Sequence, residues 1–229
     1  MSKALEAHYG AMWQRSFELF SSGIFEFDPL IEDKQDQRFG ITLLARLQPE
    51  VDAKVQQVLD KLRQLEPEQY YQPASDRHQT LLSIISCYKG FALDQVAVDD
   101  YVAVVQESLR EVGPFAVEVR GITASSSCIL LQGFPQGDSL GQLRNRLRDN
   151  FRASGLQQTI DKRYAIITAH STVVRFKEPL REPERFLATL QPYRNFLFGT
   201  TTVTEAELVF NDWYQRQEHV KVLHRFQLG

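Results

Sequence analysis

Two cysteines, two methionines and two tryptophans are all that 229 residues contain of those types. Two thiols, Cys87 and Cys128, cannot build a disulfide framework, and each sits among apolar or small neighbours, as buried free thiols do. A basic excess is also missing. Lys and Arg number 26 against 29 Asp and Glu, giving a net charge of -3 and a pI near 6.0. That argues against a general binder of long nucleic acid, which is normally basic. No run is long and apolar enough to span a bilayer. The opening MSKALEAHYG carries charges and has no apolar signal core, which argues against secretion and for a reducing cytoplasm. Metal-ligating and phosphate-cradling motifs are lacking as well. There is no HExxH, no CxxC and no DxD near a histidine. FGTTT at 198–202 lacks the GxxxxGK[ST] pattern, and GFPQGDS at 133–139 lacks its lysine.

Hydrophobic residues make up 43% of the chain, enough for one large domain or two lobes sharing a core. Residues 3–22 show helical spacing of Leu5, Met12, Leu19 and Phe20, with Tyr9 and Phe17 beside them, and the stretch up to 38 reads as an irregular connection. FGITLLARL (39–47) reads as a strand and Pro49-Glu50 opens a helix whose apolar face is Val51, Val55, Val58, Leu59, Leu62 and Leu65. The loop 70–77 leads into a strand at 78–86. A helix at 98–112, stopped by Gly113-Pro114, precedes a hairpin of FAVEVRGITA and SSCILLQGF. The remainder repeats the element order: a helix opened by Asp138 or Ser139, a strand over 164–176, a helix shortened by Pro192, then two long strands, FLFGTTTVTEAELVFND and EHVKVLHRFQL. The expected fold class is α+β, bilobal and duplicated, with two antiparallel sheets flanked by helices around a central cleft, plus an N-terminal helical extension. The expected division is 1–38 for the extension and 39–229 for the main domain. Its lobes fall at approximately 39–137 and 138–229, with room for strand exchange.

One short pattern occurs twice. His78-Gln79-Thr80-Leu81 is matched by His170-Ser171-Thr172-Val173, each in a strand-like stretch. Residues i and i+2 of a strand share a face, so each His stands beside its Thr. A lone His-x-Thr is ordinarily a packed strand histidine. Two copies, in a chain with 5 histidines and at equivalent places in two halves of like order, suggest one two-sided site. Imidazoles titrate near neutrality, so one can take a proton while the other gives one. The threonine hydroxyls can hydrogen-bond non-bridging phosphate oxygens as charge builds. Such a scheme needs no metal and no cofactor.

These motifs resemble those of the 2H phosphoesterase superfamily, the 2'-5' RNA ligase-like or cyclic phosphodiesterase proteins, which carry one His-x-Thr/Ser-hydrophobic motif per lobe. Tyr-Tyr-Gln-Pro-Ala-Ser-Asp-Arg before HQTL, the run HSTVVRF, and TTVTEAELVFND followed by VKVLHRFQL are similar to family segments too. Val174 stands where alanine is frequent. The resemblance covers 39–229. It implies His-Thr strands central in each lobe and facing a cleft, with His78 and His170 as acid and base and Thr80 and Thr172 as phosphate-oxygen donors. The implied reaction opens a 2',3'-cyclic phosphate or related cyclic phosphodiester, with reverse 2'-5' joining of RNA ends. The implied partner is a small cyclic nucleotide or an RNA terminus, with no membrane. A non-catalytic nucleotide- or phosphate-binding module of the same fold is the alternative; tight binding without turnover distinguishes it.

Other residues carry weaker expectations. Arg175 is at odd spacing from His170, so a regular strand points it away from the cleft unless a β-bulge re-aims it at phosphate. Arg144, Arg148 and Arg152 share a helix face, solvated or guiding an RNA backbone. Tyr71, Tyr88 and Phe134 are candidates to stack a base, against ordinary packing. His8, His219 and His224 read as structural. Oligomeric state is not legible.

Overall fold

The computed structural model describes residues 2–229. It opens with helix α1 (Ser2–Ser21), strand β1 (Arg38–Arg46), helix α2 (Pro49–Leu65), strands β2 (Tyr70–Tyr71) and β3 (His78–Lys89) and helix α3 (Val98–Leu109). The hairpin β4 (Phe115–Ser125) and β5 (Cys128–Pro135) leads to helix α4 (Ser139–Ser154), strand β6 (Ser171–Arg175) and helix α5 (Pro183–Leu190). Strands β7 (Leu197–Val203), β8 (Glu205–Asp212) and β9 (Lys221–Gln227) follow. The expected α+β class with two antiparallel sheets is what forms. One sheet has the order β3-β1-β8-β9 and the other β2-β6-β5-β4-β7. Among the described residues no helix is long and apolar enough to cross a membrane.

Each sheet takes strands from both halves of the chain. The helices cross over as well. Val51, Val55, Val58, Leu59 and Leu62 of α2, which follows β1, pack with Val119, Ile129 and Leu131 of the other sheet. Leu140, Leu143, Leu147 and Phe151 of α4, which follows β5, pack with Ile41, Leu43 and Leu81 of the first. Local signals explain the helices. Pro49 fills the first turn of α2, with Glu50 and Asp52 at its positive end and Arg63 in its last turn. Gly155, at φ 71°, takes the left-handed turn that ends α4. Asp138 precedes α4, but its side chain makes no capping bond.

Several expectations need correction. The run 197–212 is two strands in different sheets, not one. Val203 pairs with Phe115 while Glu205 pairs with Gln227, and the break falls at Thr204, whose carbonyl accepts from Leu228 N–H. An unbroken alternating pattern cannot show such a switch, because both strands bury one face. The loop 70–77 contains the short strand β2. The His-Thr strands are not central. β3 is an edge strand and β6 lies one place in from an edge. The second motif's strand begins only at Ser171. Over 164–170, side chains rather than a strand ladder take the backbone carbonyls. Finally, the buried stripe of α1 is Leu5, Tyr9, Trp13, Ser16 and Phe20, so Leu5, Tyr9 and Phe20 of the expected set are buried while Met12, Phe17 and Leu19 are only half-buried.

Candidate active site

The residues of β3 alternate out of phase with a regular strand. Leu43 pairs with Leu82 and Leu44 with Thr80, so Leu81 is an extra residue; Ile41 pairs with Ile85 and Thr42 with Ser83, so Ile84 is another. Each bulge resets the two-residue period. His78, Thr80, Ser83 and Ser86 thereby stay half-buried on one side, while Leu81, Leu82, Ile84 and Ile85 are all buried. β6 repeats the device. Ile129 pairs with Val174 and Leu130 with Thr172, leaving Val173 extra. Val173 and Val174 are both buried, and Arg175 returns to the side of Thr172. In both motifs the bulge is the third residue after the histidine. This is the re-aiming that spacing alone leaves open for Arg175.

His78, Thr80, His170, Thr172 and Arg175 all line one cavity of about 190 Å³. Arg175 Nε is buried and has no hydrogen-bond partner among the described residues, and its guanidinium lies 5.6 Å from the Tyr214 ring centre. Tyr71, Tyr88 and Phe134 do not line the cavity. Tyr71 is buried, its hydroxyl donating to Glu66 O; Phe134 packs with Leu5 and Tyr9; Tyr88 accepts from Gln157. These rings are packing residues, because each has its faces or hydroxyl committed elsewhere. His8, His219 and His224 also lie outside the cavity lining. Residues that sequence patterns did not single out join it, among them Gln72, Asn211, Trp213, Tyr214 and Gln215. They converge from the turn after β2 and from the end of β8 with the segment that follows it, positions with no local signature.

The two histidines are held differently. His78 Nδ1 is 2.7 Å from the carbonyl of Asp76. A carbonyl only accepts, so Nδ1 carries the proton and neutral His78 presents a bare Nε2. The turn that offers this carbonyl is anchored from outside: fully buried Arg77 pairs with Asp52 of α2 at 2.9 Å. His170 Nδ1 lies 2.7 Å from Thr168 Oγ1, a hydroxyl that can donate or accept. Burial pushes both imidazoles down to about 4; Arg46, His170 and Arg175 add to this at His78, and Arg144 and Arg175 at His170. Both rings are therefore neutral at pH 7 while no anion is bound.

Arg144 joins the two motifs. It is not on a solvated face. It is buried, with Nε donating to Leu81 O (2.8 Å) and Nη2 donating to Thr80 O (3.0 Å) and Thr168 O (2.8 Å). One planar fork thus ties the bulge of the first motif to the residue that supports His170. Gln79 Nε2 adds a longer bond to Ala169 O (3.4 Å), and Arg148 donates to Ile166 O while pairing with Asp161. Only Arg152 of the three is exposed. From behind, Tyr9 of α1 exchanges hydrogen bonds with Gly133, donating to its carbonyl and accepting from its N–H.

No family model and no curated protein matches the sequence. Solved structures do match by shape. E. coli LigT complexed with 3'-AMP is 19% identical, with a TM-score of 0.57 over 83% of this chain and 98% of that one. TT0787 of Thermus thermophilus is 18% identical, TM-score 0.59, over 82% and 97%. A structure described as a phosphoesterase is 19% identical, TM-score 0.55, over 83% and 98%. The chain has the fold of the LigT-like phosphoesterases. LigT has also been solved with phosphate, ATP and NADP+. Within the LigT-like fold of this chain, the two His-x-Thr runs bring both imidazoles and both threonine hydroxyls to one cavity, which the guanidinium groups of Arg163 and Arg175 also line.

Proposed function

We propose that this chain is a 2H phosphoesterase: a metal-independent cyclic phosphodiesterase that opens 2',3'-cyclic phosphates of RNA ends or small nucleotides. The observation that carries the reading is the convergence of both His-Thr pairs and Arg175 on one cavity. The phosphate and nucleotides found with LigT support the ligand class. Thr80, Thr172 and Arg175 hold the non-bridging oxygens, where charge grows as phosphorus becomes pentacoordinate. The fixed tautomer of His78 suits it to the base. Water attacks phosphorus as its proton passes to His78 Nε2. The bond from phosphorus to the leaving ribose oxygen breaks as His170, protonated on both nitrogens with Nδ1–H donating to Thr168, gives that oxygen its Nε2 proton. The bound phosphate anion offsets Arg175 and raises the histidine pKa values, so the productive form, one ring charged and one neutral, is populated with substrate present. With an RNA hydroxyl in place of water as the nucleophile, the same steps join a cyclic end to that hydroxyl, the ribose oxygen again leaving with the proton from His170.

The test is hydrolysis of 2',3'-cyclic nucleotides by the purified protein in EDTA. His78→Ala and His170→Ala should each lower kcat by at least about 10²-fold, the low end of what a positioned acid or base contributes. Turnover in both variants equal to wild type would falsify the assignment. Tight binding without product in the wild type would leave a nucleotide-binding module instead.

A further inference from the structure

Three carboxamides share the cavity lining with the His-Thr pairs. They are Gln72, Asn211 and Gln215, which are 3%, 2% and 4% exposed. Gln72 Nε2 donates to the Tyr214 carbonyl (2.7 Å) and Asn211 Nδ2 to the Asp212 carbonyl (2.8 Å). A carbonyl cannot donate, so these bonds fix which end of each amide is nitrogen. The opposite ends, Gln72 Oε1 and Asn211 Oδ1, together with Gln215 Oε1, are buried and have no hydrogen-bond partner among the described residues. Three buried, unpaired acceptors on residues lining one cavity are costly, and donors brought by a ligand would offset that cost.

The neighbouring groups do not supply those donors. The Tyr214 hydroxyl donates to Asp28 and accepts from Arg38, both at 2.7 Å. Trp213 carries the guanidinium groups of Arg38 and Arg163 at 4.9 and 4.4 Å from its ring centre, so recognition here does not rest on a free stacking face. The Tyr214 ring, 5.6 Å from the Arg175 guanidinium, adjoins the phosphate end. The amides and the His-Thr pairs line the same cavity, so a phosphate held by those pairs brings the rest of its nucleotide to this lining.

We propose that the Gln72–Asn211–Gln215 wall is a base-recognition subsite selecting nucleotides whose base carries an exocyclic amino group, adenine, cytosine or guanine, over uracil. This rests on the cavity being a phosphoester site. Amino groups present N–H donors to acceptor oxygens. Uracil offers a single N–H flanked by two carbonyls, which would face the wall oxygens lone pair to lone pair. Uncharged amides suit the task, since a carboxylate there would repel the phosphate. Ribose hydroxyls could also donate, but they are common to all four nucleotides and give no preference among bases.

The experiment compares kcat/KM for the 2',3'-cyclic phosphates of adenosine, cytidine, guanosine and uridine, and of purine riboside, which keeps the purine and the sugar but lacks the amine. At least a tenfold preference for the amino-bearing bases over uridine and purine riboside is expected, because a buried acceptor left unpaired is what rejects the analogue. Gln215→Met and Gln72→Met, checked for folding by circular dichroism, should shrink that ratio severalfold. Gln215→Glu, which keeps an acceptor, should retain it. Equal kcat/KM across the five substrates, or a ratio unchanged in both methionine variants, overturns the proposal while leaving the phosphodiesterase reading intact. Calorimetric binding of 3'-AMP and 3'-UMP separates the opposite failure. Preferential binding of 3'-AMP without turnover supports the subsite and removes the enzyme; binding of neither nucleotide overturns both.

Discussion

Replacing Arg144 tests whether the two motifs must be tied together to act. Its guanidinium donates to three backbone carbonyls, on Thr80, Leu81 and Thr168. Hydrogen bonds from a charged donor contribute about 1.5–3 kcal/mol each, so the three sum to roughly 4.5–9 kcal/mol. Burying the cation opposes this by several kcal/mol; burial also pushes its pKa down to about 10. Arg144→Met, which keeps much of the volume and drops the charge, should therefore cost about 2–4 kcal/mol net, readable as a lower urea midpoint at unchanged slope. The larger effect should be on catalysis. If the Thr168–His170 segment shifts by even about 1 Å, kcat should fall on the order of 10²-fold. Arg144→Lys separates charge from shape. A lysine keeps the cation but cannot reach three carbonyls in one plane, so it should recover part of the stability and little of kcat. Wild-type kcat/KM in Arg144→Met, measured on protein shown to be folded, would refute the argument that this fork sets the spacing of His78 and His170.

Three further outcomes follow from the geometry. Gly133→Ala places a Cβ against the carbonyl of Ala169, which is backbone and cannot swing away, so it should cost about 1–3 kcal/mol in denaturant titration and lower kcat as well. Arg175→Met should lower kcat/KM for a cyclic nucleotide by about 10²–10³-fold with little change in thermal midpoint, since its Nε bonds nothing in the fold; an effect under about threefold would remove it from the proposed phosphate site. The histidines make the ligand-free protein acid-sensitive. Their folded pKa near 4 lies below the unfolded value near 6.5, so the unfolded chain binds more protons between those limits, and stability is lost as pH falls from about 6.5 toward 4. Each contributes at most about 3.5 kcal/mol at about 1.4 kcal/mol per unit, and on the order of 1–2 kcal/mol once cavity water is counted. A His78→Gln, His170→Gln double variant should flatten that slope in urea titrations run across the range.

Much of the site was legible because its pattern is local. Two His-x-Thr runs announce themselves, and a strand's two-residue period places His beside Thr without further help. The helices were legible for the same reason, through apolar spacing and the proline and glycine at their ends. What was hidden is what depends on partners. Arg175 faces the cavity only because Val173 is bulged, and a bulge is a property of two strands, not of one sequence run. Arg144 looked like one of three solvated arginines, because i, i+4 spacing says which residues share a face and nothing about where that face goes. Ala169 and Thr168 read as strand because β-branched and small residues surround them, yet Arg144, Gln79 and Arg148 bond the carbonyls that a ladder would have used. The carboxamide wall comes from the ends of β2 and β8, distant in the chain, with no spacing to betray it.

The interleaving of the sheets has a consequence for how the molecule is made. β3, which bears His78, shares its sheet with β1 and with β8 and β9. During synthesis the ribosome releases β1 and β3 well over a hundred residues before β8. Until then, the β1–β3 pair lacks half of its sheet and exposes the edge of β1 as an unpaired template. The second sheet, β2-β6-β5-β4-β7, can be completed earlier, once residue 203 has emerged. The motif that comes first in the chain is thus the last to be secured, and a nascent chain cannot assemble both walls of the cavity until its final hairpin arrives.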